Sequence, residues 1–264
     1  MTMIPLLRLL CERFPDVAPK ELHARILCGE VLVNGDTERD PARTVSDDSA
    51  IEWRVNRYVS RGGLKLEAAL SAWRLPVLGR VFVDAGASTG GFTDCLLHAG
   101  AERVHAVDVG YNQLDYRLRQ DRRVVVHERT NIMSVAQLDP RPHAGVADLS
   151  FRSLKGAAHR LLQLTTERWA VVLVKPQFEL PAGDRTFDGV IRDRTLLLQT
   201  LLRVVDTLST EDVAVVKTMP SPVVGRRGNR EFLFLVAATG TMEADVADVA
   251  DQLRLQVEQI AIRE

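Results

Sequence analysis

Asp84, Gly86, Gly90 and Gly91 stand in VDAGASTGGFTDCLL, between an apolar run and a helical one, with Ser88 and Phe92 in the same bend. Glycines there tolerate the positive φ of a tight bend and let backbone amides approach a ligand closely. The spacing D-x-G-x-x-x-G-G lacks G-x-G-x-x-G, so it is not a site that cradles a dinucleotide pyrophosphate. About twenty residues on, Asp108 closes HAVDVG, where an acid can accept hydrogen bonds from both ribose hydroxyls of a nucleoside. Capping the helix of NQLDYRLRQ is the competing role for Asp108, and the glycines upstream favour ribose. Thr130 and Asn131, in HERTN, offer polar groups toward the base of such a nucleoside.

Four more residues resist explanation as packing. Asp148 follows the apolar run AGVA, Lys175 follows AVVLV, Glu231 opens the last apolar run, and Lys65 lies in YVSRGGLKLEAAL. A lysine directly after a buried strand is an unpaired cation unless a carboxylate meets it, and such burial costs several kcal/mol.

The elements that must position these groups alternate from Arg80 onward. VFVDAG, RVHAVDVG, VVVHER, AGVADLS, AVVLVKP, VAVVKTM and FLFLVAA are continuously apolar and most end in Asp, Gly or Lys. That is the pattern of parallel strands covered by helices on both faces, with active groups at their carboxyl ends. The expected fold is α/β, a doubly wound, Rossmann-like sheet of seven strands. Because PSPVVGRRGNRE separates the last two runs without a helix, the final strand is expected to pair antiparallel with the one before it. In such a sheet the fourth and fifth strand ends are neighbours, which should bring Asp148 and Lys175 together. Val246, Val249, Leu253, Val257 and Ile260 mark a closing amphipathic helix that packs on the domain.

Residues 1–55 read as a small α+β module. Leu6, Leu7, Leu9, Leu10 and Phe14 give one helical face, and Leu22, Ile26 and Leu27 a second that stops at Gly29. Val31, Val33 and Asn34-Gly35 fit a strand entering a type I′ turn, with the return strand expected near Ile51.

YVSRGGLKLEAAL, DAGASTGGFTDCLL, AVDVGYNQLDYRLRQD, LVKPQFE and GNREFLF, in this order, resemble the TlyA family of hemolysin-named rRNA 2′-O-ribose methyltransferases, over most of residues 22 to 238. The glycine bend by itself resembles the first motif of S-adenosylmethionine-dependent methyltransferases. The resemblance implies an S4-like RNA-binding domain at 1–55, a linker at 56–61 and an RrmJ/FtsJ-like methyltransferase domain at 62–264. It also implies S-adenosylmethionine as cofactor, rRNA in ribosomal subunits as partner, cytidine as target, and a catalytic tetrad of Lys65, Asp148, Lys175 and Glu231. Asp84, Gly86, Ser88, Gly90, Gly91, Phe92, Asp108 and Asn131 are then the cofactor residues.

A ribose hydroxyl is a poor nucleophile that must lose its proton as it attacks a sulfonium methyl. Lys175 is the expected base: burial and the cation Lys65 favour its neutral form, while Asp148 and Glu231 oppose that and orient the lysines. Much of the rate should come from placement, with no metal required. A non-catalytic RNA- or cofactor-binding protein and a cytolysin are the alternatives.

The chain's 264 residues carry 34 Lys+Arg against 35 Asp+Glu, a net charge of -1 that excludes nucleic-acid binding by bulk charge. Dividing the chain alters this. Residues 1–53 hold a net -4, leaving +3 for the remainder. Candidate RNA contacts are Lys20 and Arg25 in the module, Arg57 and Arg61 near the linker, and Arg226, Arg227 and Arg230 before Glu231. No apolar run is as long as a membrane span and the first residues do not read as a signal peptide. Three widely spaced cysteines, Cys11, Cys28 and Cys95, form neither a disulfide framework nor a metal pattern. A cytoplasmic protein with reduced thiols is expected.

Overall fold

The computed structural model describes residues 2–27, 29–54, 57–149, 154–180, 187–225, 228–243 and 246–260. Its chain separates into two units, Met1–Arg57 and Tyr58–Glu264.

In the first unit β1 (Met3–Pro5) leads into α1 (Leu6–Arg13) and α2 (Pro19–Leu27). Then follow β2 (Val31–Val33), β3 (Asp36–Glu38), β4 (Thr44–Ser46) and β5 (Ile51–Trp53). Leu6, Leu9 and Leu10 of α1 pack with Leu22 and Ile26 of α2 and with Val31, Val33 and Val45. Leu27, one step around the helix from Ile26, is exposed.

Asn34 (φ 53) and Gly35 (φ 86) make the tight turn with both central residues left-handed, as a type I′ turn requires. The return strand departs from expectation. β3 follows the turn at once and pairs with β2, while β5 lies along the other edge of β2. β1 pairs with β4 as a separate ribbon. Strands of three residues show no readable alternation, so the polar stretch after Gly35 conceals two of them.

The second unit opens with α3 (Gly62–Trp73) and proceeds through β6 (Val81–Ala85), α4 (Gly91–His98), β7 (Arg103–Val107), α5 (Tyr116–Gln120) and β8 (Val124–His127). β9 (Ala144–Ala147), α6 (Ala157–Leu164), β10 (Trp169–Val174), α7 (Pro176–Glu179) and α8 (Arg194–Ser209) come next. β11 (Val213–Pro220), β12 (Phe232–Ala238) and α9 (Val246–Gln259) complete it. The sheet has seven strands in the order β11-β12-β10-β9-β6-β7-β8. Strands β10, β9, β6, β7 and β8 run parallel, and β12 is antiparallel to both β10 and β11.

Strands β6, β9, β10 and β12 are buried on both faces, which is why they read as unbroken apolar runs. On β10, Ala170, Val172 and Val174 join one core cluster with residues of α6, α8 and α9. Trp169, Val171 and Leu173 join the other, with residues of α3 and α4. The closing helix buries Val249, Leu253 and Val257, as its spacing predicts. Strand order reverses at β6, so a crevice opens beyond the carboxyl ends of β6 and its neighbours. Among the described residues no helix is long and apolar enough to cross a membrane.

Candidate active site

The glycine bend leaves β6 at Gly86 (φ 83) and enters α4 through Gly90 (φ 96). A methyl group on Gly86 would come within 2.7 Å of the Asp148 carbonyl oxygen, so β9 approaches the bend as only glycine permits. Asp108, just past β7, grips the same bend: the N–H of Ser88 donates to its Oδ2 at 2.8 Å and that of Gly110 to its Oδ1 at 2.6 Å. The helix that follows is capped by Asp115, whose side chain accepts from Arg117. Asp108 is therefore not a helix cap, and its remaining lone pairs are available to ribose hydroxyls.

Thr130 and Asn131 bond locally. The Thr130 hydroxyl donates to the Glu128 carbonyl, and Asn131 Oδ1 accepts from Met133 at the start of a single 3-10 turn, Ile132–Ser134. Phe92 is buried in the core cluster shared with α3, so its side chain packs and only its backbone is available to a ligand.

Asp84 ends fully buried on β6. The Thr93 hydroxyl of α4 donates to its Oδ2 at 2.7 Å, and its Oδ1 is buried without a hydrogen bond. Burial pushes this carboxyl up to about 7 against the Thr93 bond, with Asp148 and Asp108 adding repulsion. Between pH of about 4 and 7 the unfolded chain has lost a proton that the folded chain keeps, so stability falls as pH rises through that window and the loss is complete above it. Asp84→Asn removes this dependence. Without cofactor, urea unfolding should show the variant gaining on the wild type progressively across that window, by a few kcal/mol, then levelling off. A difference that stays constant with pH would contradict this reading of Asp84.

Lys65, Asp148, Lys175 and Glu231 form two cross-element ion pairs. Lys65, in the first turn of α3, donates to Glu231 Oε2 at 2.5 Å, with side-chain exposures of 11% and 6%. Lys175 lies 2.5 Å from Asp148 Oδ1, a close ion pair rather than an aligned hydrogen bond, and donates to the Leu149 carbonyl at 3.0 Å. Topology explains the meeting. β9 and β10 are parallel neighbours, so Asp148 and Lys175 leave the same edge of the sheet. β12 runs the other way, and Lys175 and Glu231 stand one step beyond the Val174–Phe232 pair, facing each other across adjacent strands.

Of the expected RNA contacts, Lys20, Arg57 and Arg61 are exposed and Arg230 is half-buried. Arg25 is already engaged, with Glu21 at 2.6 Å and with its guanidinium 5.1 Å from the Trp53 ring centre. Arg226 and Arg227 lie outside the described residues.

A family model described as FtsJ-like methyltransferase matches residues 58–237. This chain belongs to the FtsJ-like methyltransferase family. Two relatives match over more of the chain than the family model does. The Mycobacterium tuberculosis protein named 16S/23S rRNA (cytidine-2′-O)-methyltransferase TlyA is 41% identical over 222 residues, 82% of each chain. Hemolysin A of Brachyspira hyodysenteriae is 40% identical over 213 residues, 79% of this chain and 89% of that one. A solved hemolysin-named structure from Streptococcus thermophilus superposes with a TM-score of 0.71 at 32% identity, covering 98% of both chains.

The residues of the FtsJ-like unit fit S-adenosylmethionine. Glycines line the bend where a side chain would collide, and Asp84, Asp108 and Asp148 surround it with acceptors suited to a cationic nucleoside. Sequence reasoning missed Thr93, which clamps Asp84, and Asp94, whose Oδ2 accepts from the Val59 N–H at 2.8 Å. Their one signal is a polar pair, Thr93-Asp94, inside a stretch from Gly91 to Leu97 that is otherwise without polar side chains apart from Cys95, and both are buried.

Proposed function

We propose that this chain is an S-adenosylmethionine-dependent 2′-O-ribose methyltransferase that acts on rRNA in ribosomal subunits, with cytidine as its target. The observation that carries this reading is the pairing of the buried Lys65 and the half-buried Lys175 with two carboxylates at the carboxyl edge of an FtsJ-like sheet, beside the glycine bend. The names of the relatives supply the substrate.

Bound there, S-adenosylmethionine supplies a methyl group on a sulfonium centre. The chain's own residues do the rest. Lys175, in its neutral form, accepts the proton of the ribose 2′-hydroxyl as the new O–C bond forms and the methyl group's bond to sulfur breaks, leaving a thioether, and Asp148 at 2.5 Å stabilises the ammonium that results. Glu231 and Lys65 hold the wall opposite Lys175. Placement of the hydroxyl supplies much of the acceleration.

Residues 1–55 serve in this reading as an S4-like module on a linker at 56–61. Its net charge of -4 over residues 1–53 supports only local contact to RNA, through Lys20. Arg57 adds a further contact of this kind, Arg61 and Arg230 of the second unit support contact on phosphates separately, and the enzyme works in the cytoplasm, where its substrate is. Purified protein with labelled S-adenosylmethionine should transfer label to unmodified ribosomal subunits. No incorporation into either subunit would favour a non-catalytic binding protein.

A further inference from the structure

Apart from Ser46 Oγ in the first unit, the buried acceptors without a hydrogen bond share one sheet edge. Among the described residues, Asp84 Oδ1, Asp148 Oδ1 and Gln177 Oε1 are such atoms, and all three follow or end strands of the same sheet edge. An orphaned buried acceptor costs free energy, so each one calls for a donor that arrives later. Asp148 Oδ1 faces the Lys175 ammonium, and Asp84 lies on β6 directly before the glycine bend. Gln177 has neither explanation.

Gln177 sits on the turn α7, two residues past Lys175. Its neighbours fix that turn. Pro176 is buried at the first helical position, the Phe178 N–H donates to the Lys175 carbonyl at 2.8 Å, and Glu179 Oε1 accepts from Leu154 at 2.9 Å. Gln177 takes no part in these bonds. Position decides what its donor is. Asp108 and Asn131 follow β7 and β8, on one side of β6, whereas Gln177 follows β10, two strands away on the other side. The cofactor's nucleoside is expected toward the former, and Gln177 stands two residues past Lys175, the base proposed for the ribose hydroxyl, which points to the substrate as the source of its donor.

Resting on the RNA methyltransferase reading, we infer that Gln177 reads the base of the target nucleotide, its side-chain oxygen accepting a hydrogen bond from the exocyclic amine of cytosine. Uracil carries an acceptor at that position and would leave Gln177 Oε1 facing another oxygen. A base that enters an active site is characteristically read along its Watson–Crick edge, and a single unmet buried acceptor suffices for discrimination of about tenfold or more.

The test compares full-length wild type, Gln177→Leu and Gln177→Glu on unmodified ribosomal subunits carrying the mapped target nucleotide as cytidine or as uridine. The wild type should prefer cytidine by about tenfold or more in kcat/KM. Gln177→Leu should lose that preference while binding S-adenosylmethionine as the wild type does. Gln177→Glu, an acceptor only, should keep it. The inference is overturned if Gln177→Leu retains the preference, if both substrates decline in parallel, or if Gln177→Glu reverses the preference. No transfer by the wild type to either substrate would overturn the methyltransferase reading itself, and the base-reading role with it.

Discussion

Replacing Lys175 with alanine is expected to lower methyl transfer by about 10²–10⁴-fold while leaving S-adenosylmethionine binding unchanged. The side chain is nearly enclosed, contacts Asp148 and the Leu149 carbonyl, and lies away from the Asp108 side of the sheet, so the cofactor's nucleoside does not depend on it. Lys175→Arg separates two roles. Arginine keeps the cation beside Asp148 but does not surrender a proton near neutral pH, so a base at this position fails as arginine too. Rate measurements at saturating cofactor decide the matter. Substantial activity in the arginine variant would make the role electrostatic and remove Lys175 as the base.

The second large effect is on stability. Glu231→Ala leaves the Lys65 ammonium buried without its carboxylate, a loss of about 3–5 kcal/mol. For a unit of this size each kcal/mol moves the melting temperature by about 2–4 °C, so a fall on the order of 10 °C is expected. Lys65→Met combined with Glu231→Leu removes both charges and fills the space, and should recover most of that stability. Methyl transfer should remain lost in the double variant, since the pair shapes the wall opposite Lys175. Thermal melts of the single and double variants check this. A double variant as unstable as Glu231→Ala would show that packing, not the unpaired charge, sets the cost.

Much of this site is legible in the sequence because of how parallel strands are buried. A strand covered on both faces must be apolar throughout, so the first polar residue after it marks the carboxyl edge, where Asp108, Asp148 and Lys175 all lie. The Pro- and Gly-rich stretch PSPVVGRRGNRE, without a helical period, likewise announces an antiparallel final strand. What stays hidden is set by tertiary register. That Glu231 faces Lys175, while Lys65 takes Glu231 as its partner, follows from the β10–β12 pairing and the seat of α3, not from spacing. Whether a buried oxygen such as Gln177 Oε1 finds a donor depends on every neighbour at once. The strands β3 and β4 were hidden for a simpler reason: three residues are too few to show a period.

The net charge of -1 also gives way to its distribution. An acidic first module and a mildly basic remainder place the expected RNA contacts around the FtsJ-like unit and the linker. Salt dependence of subunit binding should then respond to Arg61 and Arg230 more than to Lys20.

In the proposed reaction the two lysine–carboxylate pairs deprotonate and hold a ribose hydroxyl. Mapping the atom that receives the labelled methyl group on unmodified ribosomal subunits tests it most directly. Methylation of a ribose 2′-oxygen, read as a single linkage resistant to alkaline cleavage and absent with Lys175→Ala, is the result predicted. Label on a base atom, or on ribose at an undiminished rate in that variant, would contradict it.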